Sequence, residues 1–194
     1  GDPPFGNEPH HQRHRPPANH KGGVGKSSIA IQLSLSLASF SSVLAVDLDP
    51  QANFSSSICS SLPPHGVFEL LINHSSLSSL SLNCRKGLDL IAASPLLNAA
   101  DELLAPIPDS VCSLRRALEG ANYDFVIIDT PPHLRSLALN ALVASDLVLI
   151  PALPDVFSSN GLVELSRAIE LVRSSLNPSL KVDGIVLNRF KQTR

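Results

Sequence analysis

Residues 21–28 read Lys-Gly-Gly-Val-Gly-Lys-Ser-Ser, and no other stretch restricts the fold of this chain as strongly. Gly22, Gly23 and Gly25 let the backbone turn tightly and approach a ligand closely. A loop of this kind presents N–H groups to phosphates, and it should open a helix whose unpaired N–H groups and positive dipole end favour an anion. The stretch from Ile29 to Ala38 is the expected helix, with Ile29, Leu33 and Leu37 on one apolar face. Lys26 would then reach the β- and γ-phosphates of a nucleotide, and the Ser27 hydroxyl would take a place on Mg²⁺. The plain alternative is a glycine-rich turn with surface lysines. Two aspartate-bearing strand ends further along the chain argue against it.

Val43-Leu44-Ala45-Val46 is short and β-branched, as a buried strand should be. It runs into Asp47-Leu48-Asp49-Pro50-Gln51-Ala52-Asn53. Phe125 to Ile128 is a second continuous apolar run, consistent with a strand buried on both faces, and it ends in Asp129-Thr130-Pro131-Pro132. Neither proline can donate to a ladder, so the strand stops there. In open parallel sheets ligands gather beyond the carboxyl ends of strands, which is where these carboxylates fall. Asp129 is placed to hold Mg²⁺ directly or through water.

The form K-G-G-x-G-K-[ST], with His20 where the general pattern has its first glycine, resembles the deviant Walker A motif of the ParA/MinD family of P-loop ATPases. The D-x-D-P-Q-x-N run and the D-T-P-P run come after it in the family's order, and the match is strongest to ParA/Soj-type partition ATPases. The resemblance implies an α/β P-loop fold, a mostly parallel sheet with helices on both faces. It implies ATP and Mg²⁺ as ligands, with the phosphates on Lys21, Gly22, Gly23, Val24, Gly25, Lys26, Ser27 and Ser28 and the metal on Ser27 and Asp129. Lys21 would cross a dimer interface to the partner's nucleotide, so it counts with Asp49 as a catalytic candidate. Asp49 would position the attacking water or the metal's shell, while Asp47 supports the site from the strand end. Asn188, closing the strand Val182 to Arg189, would contact adenine; asparagine is also an ordinary turn residue there.

For function, the resemblance implies a weak ATPase acting as an ATP-dependent dimerisation switch in chromosome or plasmid partitioning. It would be cytoplasmic, and nucleoid-associated if DNA binding is retained. Its partners would be a second copy in the ATP state, a ParB-like activator and DNA of any sequence, but no membrane. Arg167, Arg173, Lys181, Arg189 and Lys191 are the basic candidates for DNA, each equally readable as part of a solvated face. The other class is a degenerate or truncated nucleotide-binding interaction module with little ATP turnover. MinD-like and nitrogenase iron-protein branches fit less well: the former's C-terminal amphipathic helix and the latter's cluster cysteines have no counterpart here.

Length and composition agree with one α/β domain: 194 residues, 43% hydrophobic, net charge −2. No global basic field advertises nucleic acid. Cys59, Cys84 and Cys112 are widely spaced and without a C-x-x-C, which predicts reduced, partly buried thiols. Short helices are expected over Gly66 to Ile72 and Ala99 to Leu104, with a helix to Glu119 capped by Ser110. Strands are expected over Leu88 to Ala92 and Leu147 to Ala152, the latter buried. The serine-rich tract Ser55 to Ser81 reads as solvated loops and polar helix faces.

The ends depart from the family pattern. Residues 1–18 form a Pro/His-rich leader, expected to be disordered, and residues 19–194 the ParA-like domain. A proline-rich leader cannot supply the central strand that enters the loop in relatives. With the C-terminal elements also apparently missing, roughly three-quarters of the family domain is covered. A gap in the sheet and marginal stability are the expected consequences.

Overall fold

The computed structural model describes residues 24–153 and 160–188. The leader, Lys21, Gly22, Gly23, Arg189 and Lys191 lie outside them. At the centre is β1 (Val43–Asp47), every residue of which is buried. Its side chains alternate between two cores. Leu44 and Val46 join Val67, Leu70, Leu97 and Leu137 on one face. Val43 and Ala45 join Ala30, Phe54, Ile58 and Leu90 on the other. A strand with apolar residues on both faces needs a helical layer on each, and the chain supplies both.

Parallel neighbours flank β1, with β3 (Leu88–Ile91) on one side and β4 (Phe125–Asp129) on the other. An antiparallel β2 (Leu82–Arg85) adds to β3, giving the order β2-β3-β1-β4. The expected α/β class and mostly parallel sheet are therefore present. Among the described residues β5 (Leu147–Ala152) and β6 (Lys181–Leu187) pair in parallel as a separate two-stranded sheet. They pack with α7 (Ser136–Ala144) and α8 (Asn160–Ser175) around Leu142, Val143, Ile169 and Val172.

The division corrects two burial expectations. Phe125 on β4 is 41% exposed, and Leu147 on β5 is 58% exposed. Each strand is an edge of its sheet among the described residues, so its apolar run is covered on fewer sides than the sequence suggests. A cleft of about 400 Å³ lies beside them, lined by Lys26, Ile128, Thr130, Ala141, Leu149 and Leu165 among others.

Helix α1 (Lys26–Leu37) begins three residues earlier than the apolar pattern indicates. Its buried positions are Ala30 and Ser34, not Ile29 and Leu33, which line a shallow surface hollow. Ser110 does not cap a helix. It belongs to a 3₁₀ turn at Ser110–Cys112 and donates its hydroxyl to the Leu104 carbonyl at 2.7 Å; α6 (Ser113–Leu118) comes next. The expected short helices appear as α3 (Val67–Leu71) and α5 (Leu97–Leu104), with α2 (Asn53–Ile58) and α4 (Leu77–Leu80) in the serine-rich tract.

The expectation of three reduced thiols also fails. Cys59, which caps α2, is disulfide-bonded to Cys84 on β2, with their Cα atoms 5.5 Å apart; Cys112 is free. That separation suits a disulfide, but only the packing of α2 against the sheet edge creates it, so spacing along the chain carries no trace.

Candidate functional site

Two parallel strands deliver two carboxylates to one place. Asp47 and Asp129 end β1 and β4 and are paired in register. The Leu48 N–H donates to the Asp129 carbonyl at 2.9 Å and locks the strand ends together. Opposite them, Gly25 is the N-cap of α1 at φ 92°, in the left-handed region that glycine tolerates. An added Cβ there would collide with the Asn188 amide, so both backbone and space demand glycine. The Ile29 N–H donates to the Gly25 carbonyl at 2.9 Å and starts the helix. Lys26, Ser27 and Ser28 thus occupy its first turn, where N–H groups have no intrahelical acceptor.

The Ser27 hydroxyl, the Lys26 charge and the Thr130 N–H all lie near enough to the Asp129 carboxylate to favour its charged form. Asp129 is only 2% exposed, and its Oδ2 is buried without any donor. Burial pushes its carboxyl above the usual range, with Asp49 adding to the rise, against the pull of Ser27, Lys26 and Thr130. A buried carboxylate oxygen lacking a partner, beside a hydroxyl and an ammonium at a helix N-terminus, fits a hard cation carrying a phosphate. No group of three or more His, Cys, Asp or Glu placed to hold a metal occurs among the described residues.

Asp47 is fully buried and accepts the Asp49 N–H on Oδ1 at 3.0 Å. Its Oδ2 accepts the N–H and the hydroxyl of Ser55 at 2.8 and 2.7 Å. Asp49 is nearer the opening, 9% exposed, and its Oδ1 accepts the Gln51 N–H at 3.0 Å. Burial raises the Asp47 carboxyl from 3.8 to about 6, although Ser55 and Asp49 donate to its ionised form. Because the folded value lies above the unfolded one, the folded protein holds this proton more tightly. The resulting stability is complete below 3.8 and is lost as pH rises through about 6. At full extent it amounts to roughly 3 kcal/mol. We expect Asp47→Asn, which cannot titrate, to flatten this part of the stability–pH curve. Denaturant unfolding of both proteins between about pH 4 and 7.5 measures it; parallel curves would contradict the assignment.

Asn188 comes after β6 and reaches back to the phosphate loop. Its Nδ2 donates to the Val24 carbonyl at 3.0 Å, and its N–H to the Ala152 carbonyl at 2.8 Å. With Ser28, Ile29, Gln32, Leu33 and Ser36 it lines the surface hollow, of about 390 Å³. Five loop and carboxylate positions (Lys26, Ser27, Asp47, Asp49 and Asp129) are thus brought into one constellation. Asn188 abuts Gly25, and Lys21, Gly22 and Gly23 lie outside the described residues. Arg167 and Lys181 are exposed, and Arg173 pairs with Glu170 at 3.0 Å. Sequence reasoning does not reach Ser55: it stands in a serine-rich tract, and nothing local separates it from its exposed neighbours Ser56 and Ser57.

A family model described as an AAA domain, AAA_31, matches residues 17–182. A chromosome partitioning protein ParA from Myxococcus xanthus is 40% identical over 179 residues, which are 89% of this chain and 63% of the relative. The chain belongs to the ParA family of P-loop ATPases. Among solved structures, a plasmid partition protein from Borrelia burgdorferi superposes with a TM-score of 0.78 at 30% identity, over 90% of this chain and 77% of that one. Cobyrinic acid a,c-diamide synthase from Mycobacterium smegmatis, with bound ATP analogue and magnesium, gives 0.77 at 33% identity, over 88% and 72%. The ParA-family loop and carboxylate motifs lie at the start of α1 and at the ends of β1 and β4.

Proposed function

We propose that this chain is a ParA-type partition ATPase, an ATP-dependent dimerisation switch converting ATP and water to ADP and phosphate. The observation that carries the reading is a buried, unpartnered Asp129 oxygen beside Ser27 and Lys26 at the start of α1. The backbone N–H groups of the loop through Ser28 cradle the phosphates, and Lys26 binds the β- and γ-phosphates. Ser27 and Asp129 hold Mg²⁺, which when bound supplies charge neutralisation between the phosphates. Asp49 orients the attacking water, Asn188 contacts the adenine, and Lys21 reaches the nucleotide of the second protomer. A magnesium–ATP complex as ligand accords with the bound ATP analogue and magnesium of the Mycobacterium relative.

The partners in this reading are a second copy, a ParB-like activator and DNA without sequence preference. No helix among the described residues is long and apolar enough to cross a membrane, and we assign the protein to the cytoplasm, on the nucleoid where it binds DNA. Separate measurements of ATP binding with and without Mg²⁺, of phosphate release, and of mass in solution with ATP or ADP test the switch. Magnesium-dependent binding, slow turnover and an ATP-specific dimer are expected. Tight binding without turnover or dimerisation would favour the nucleotide-binding module instead. DNA affinity should fall steeply with salt, and a flat response would remove DNA from the partners.

A further inference from the structure

We propose that Ser55 is a positioning residue for Asp49, acting through the carboxylate of Asp47; its kinetic consequence rests on the ATPase reading above. Ser55 is fully buried in the first turn of α2. Its hydroxyl donates to Asp47 Oδ2 at 2.7 Å and accepts the Ala93 N–H at 3.0 Å. Its own N–H donates to the same Oδ2 at 2.8 Å. One hydroxyl thus connects the end of β1, the start of α2 and the residues leaving β3.

Asp49 is affected through the loop between them. Asp47 Oδ1 accepts the Asp49 N–H at 3.0 Å, while Oδ2 is held at Ser55, eight residues along the chain from Asp47. The segment carrying Asp49 is therefore fastened at both ends to a single carboxylate. Within it the Ala52 N–H donates to the Asp49 carbonyl at 2.9 Å, and Ala52 takes a left-handed φ of 54°. Such a turn persists only where its surroundings hold it. Removing the hydroxyl leaves the buried Ala93 N–H without its acceptor and Asp47 with one donor fewer, and both losses loosen the start of α2. Among the described residues the Ser55 hydroxyl bonds only Asp47 and Ala93 and not the phosphate loop at the start of α1, so nucleotide affinity depends far less on it.

The test compares Ser55→Ala, Ser55→Thr and Ser56→Ala in the full chain, Ser56 being an exposed neighbour on the same helix. Expected for Ser55→Ala is a fall in kcat of about tenfold or more, with ATP affinity within about twofold of the parent. Ser55→Thr, which keeps the hydroxyl, should recover most of the loss, and Ser56→Ala should match the parent. Amide hydrogen exchange of the nucleotide-free protein gives a readout independent of turnover: Ser55→Ala should speed exchange at Asp49 and Ala93. Unchanged exchange at those two amides, or a kcat equal to the parent's, would overturn the proposal. A parallel loss of ATP affinity, kcat and melting temperature would also overturn it, as a general packing defect. If the parent itself binds ATP but releases no phosphate, the ATPase reading falls, and the exchange data alone decide whether Ser55 holds Asp49.

Discussion

Lys26→Ala is expected to lower kcat/KM for ATP by roughly a thousandfold while leaving the fold intact. Lys26 opens α1, so its ammonium adds to a helix end that already favours anions. It also lines the cleft beside Thr130 and contributes to holding the Asp129 carboxylate in its charged form. A fixed donor aimed at charge that builds up on the phosphates gains most in the transition state, and loss of one such donor typically costs about a hundred- to a thousandfold. The cost to the nucleotide-free protein is small, since the lysine pairs with no carboxylate at salt-bridge distance among the described residues. Lys26→Arg should not rescue, because a planar guanidinium does not replace a compact ammonium inside a tight loop. Steady-state kinetics beside a thermal melt decide the matter. Near-parental turnover with the alanine would exclude this loop as the phosphate site.

Asp129→Asn is expected to separate function from stability. The ionised carboxylate is buried with Oδ2 unsatisfied, an arrangement that destabilises the nucleotide-free fold. The amide removes the charge at nearly constant shape. The melting temperature should therefore stay level or rise, by up to a few degrees for about 1 kcal/mol. Magnesium-dependent phosphate release should fall by about a hundredfold or more, since an amide is a poor ligand for a hard cation. Mg²⁺ with ATP should raise the melting temperature of the parent protein but much less that of the variant. A variant that loses stability yet still hydrolyses ATP would assign Asp129 to the core rather than to the site. Sites that strain their surroundings to hold charge commonly show this opposition between activity and stability.

Much of the site is legible in the sequence because its chemistry is written locally. A glycine-rich turn running into a helix is a contiguous event, so Gly25, Lys26 and Ser27 can be assigned from adjacent residues. Strand-end carboxylates are legible for a similar reason: short apolar runs such as Val43 to Val46 stop at a polar residue, and parallel sheets place ligands at those ends. Helix α1 shows the limit. Three apolar positions at helical spacing suggest a buried face of Ile29, Leu33 and Leu37, but of these only Leu37 packs against the core, and the positions covered fully are Ala30 and Ser34. Periodicity shows that a helix has faces; which one is covered depends on what approaches it.

Ser55, the Asn188 contact with the phosphate loop and the cysteine pair cannot be found in this way. Each acquires its role from a partner distant along the chain: Ala93 for Ser55, Val24 for Asn188, Cys84 for Cys59. A serine hydroxyl is equally at home in water, in a turn or in a buried network, so its residue type alone carries no information about which.

By itself the amino-acid order determined the phosphate loop, the two strand-end aspartates and the α/β class. These rest on short-range stereochemistry: glycine's freedom, β-branching, and the polar termini of helices and strands. Only the tertiary structure decided that Asp47 and Asp129 meet in register, that an Asp129 oxygen is buried without a donor, and that β4 and β5 keep half-exposed edges. Those depend on desolvation and on contacts closed across long stretches of chain, and such terms have no value until the whole chain is packed.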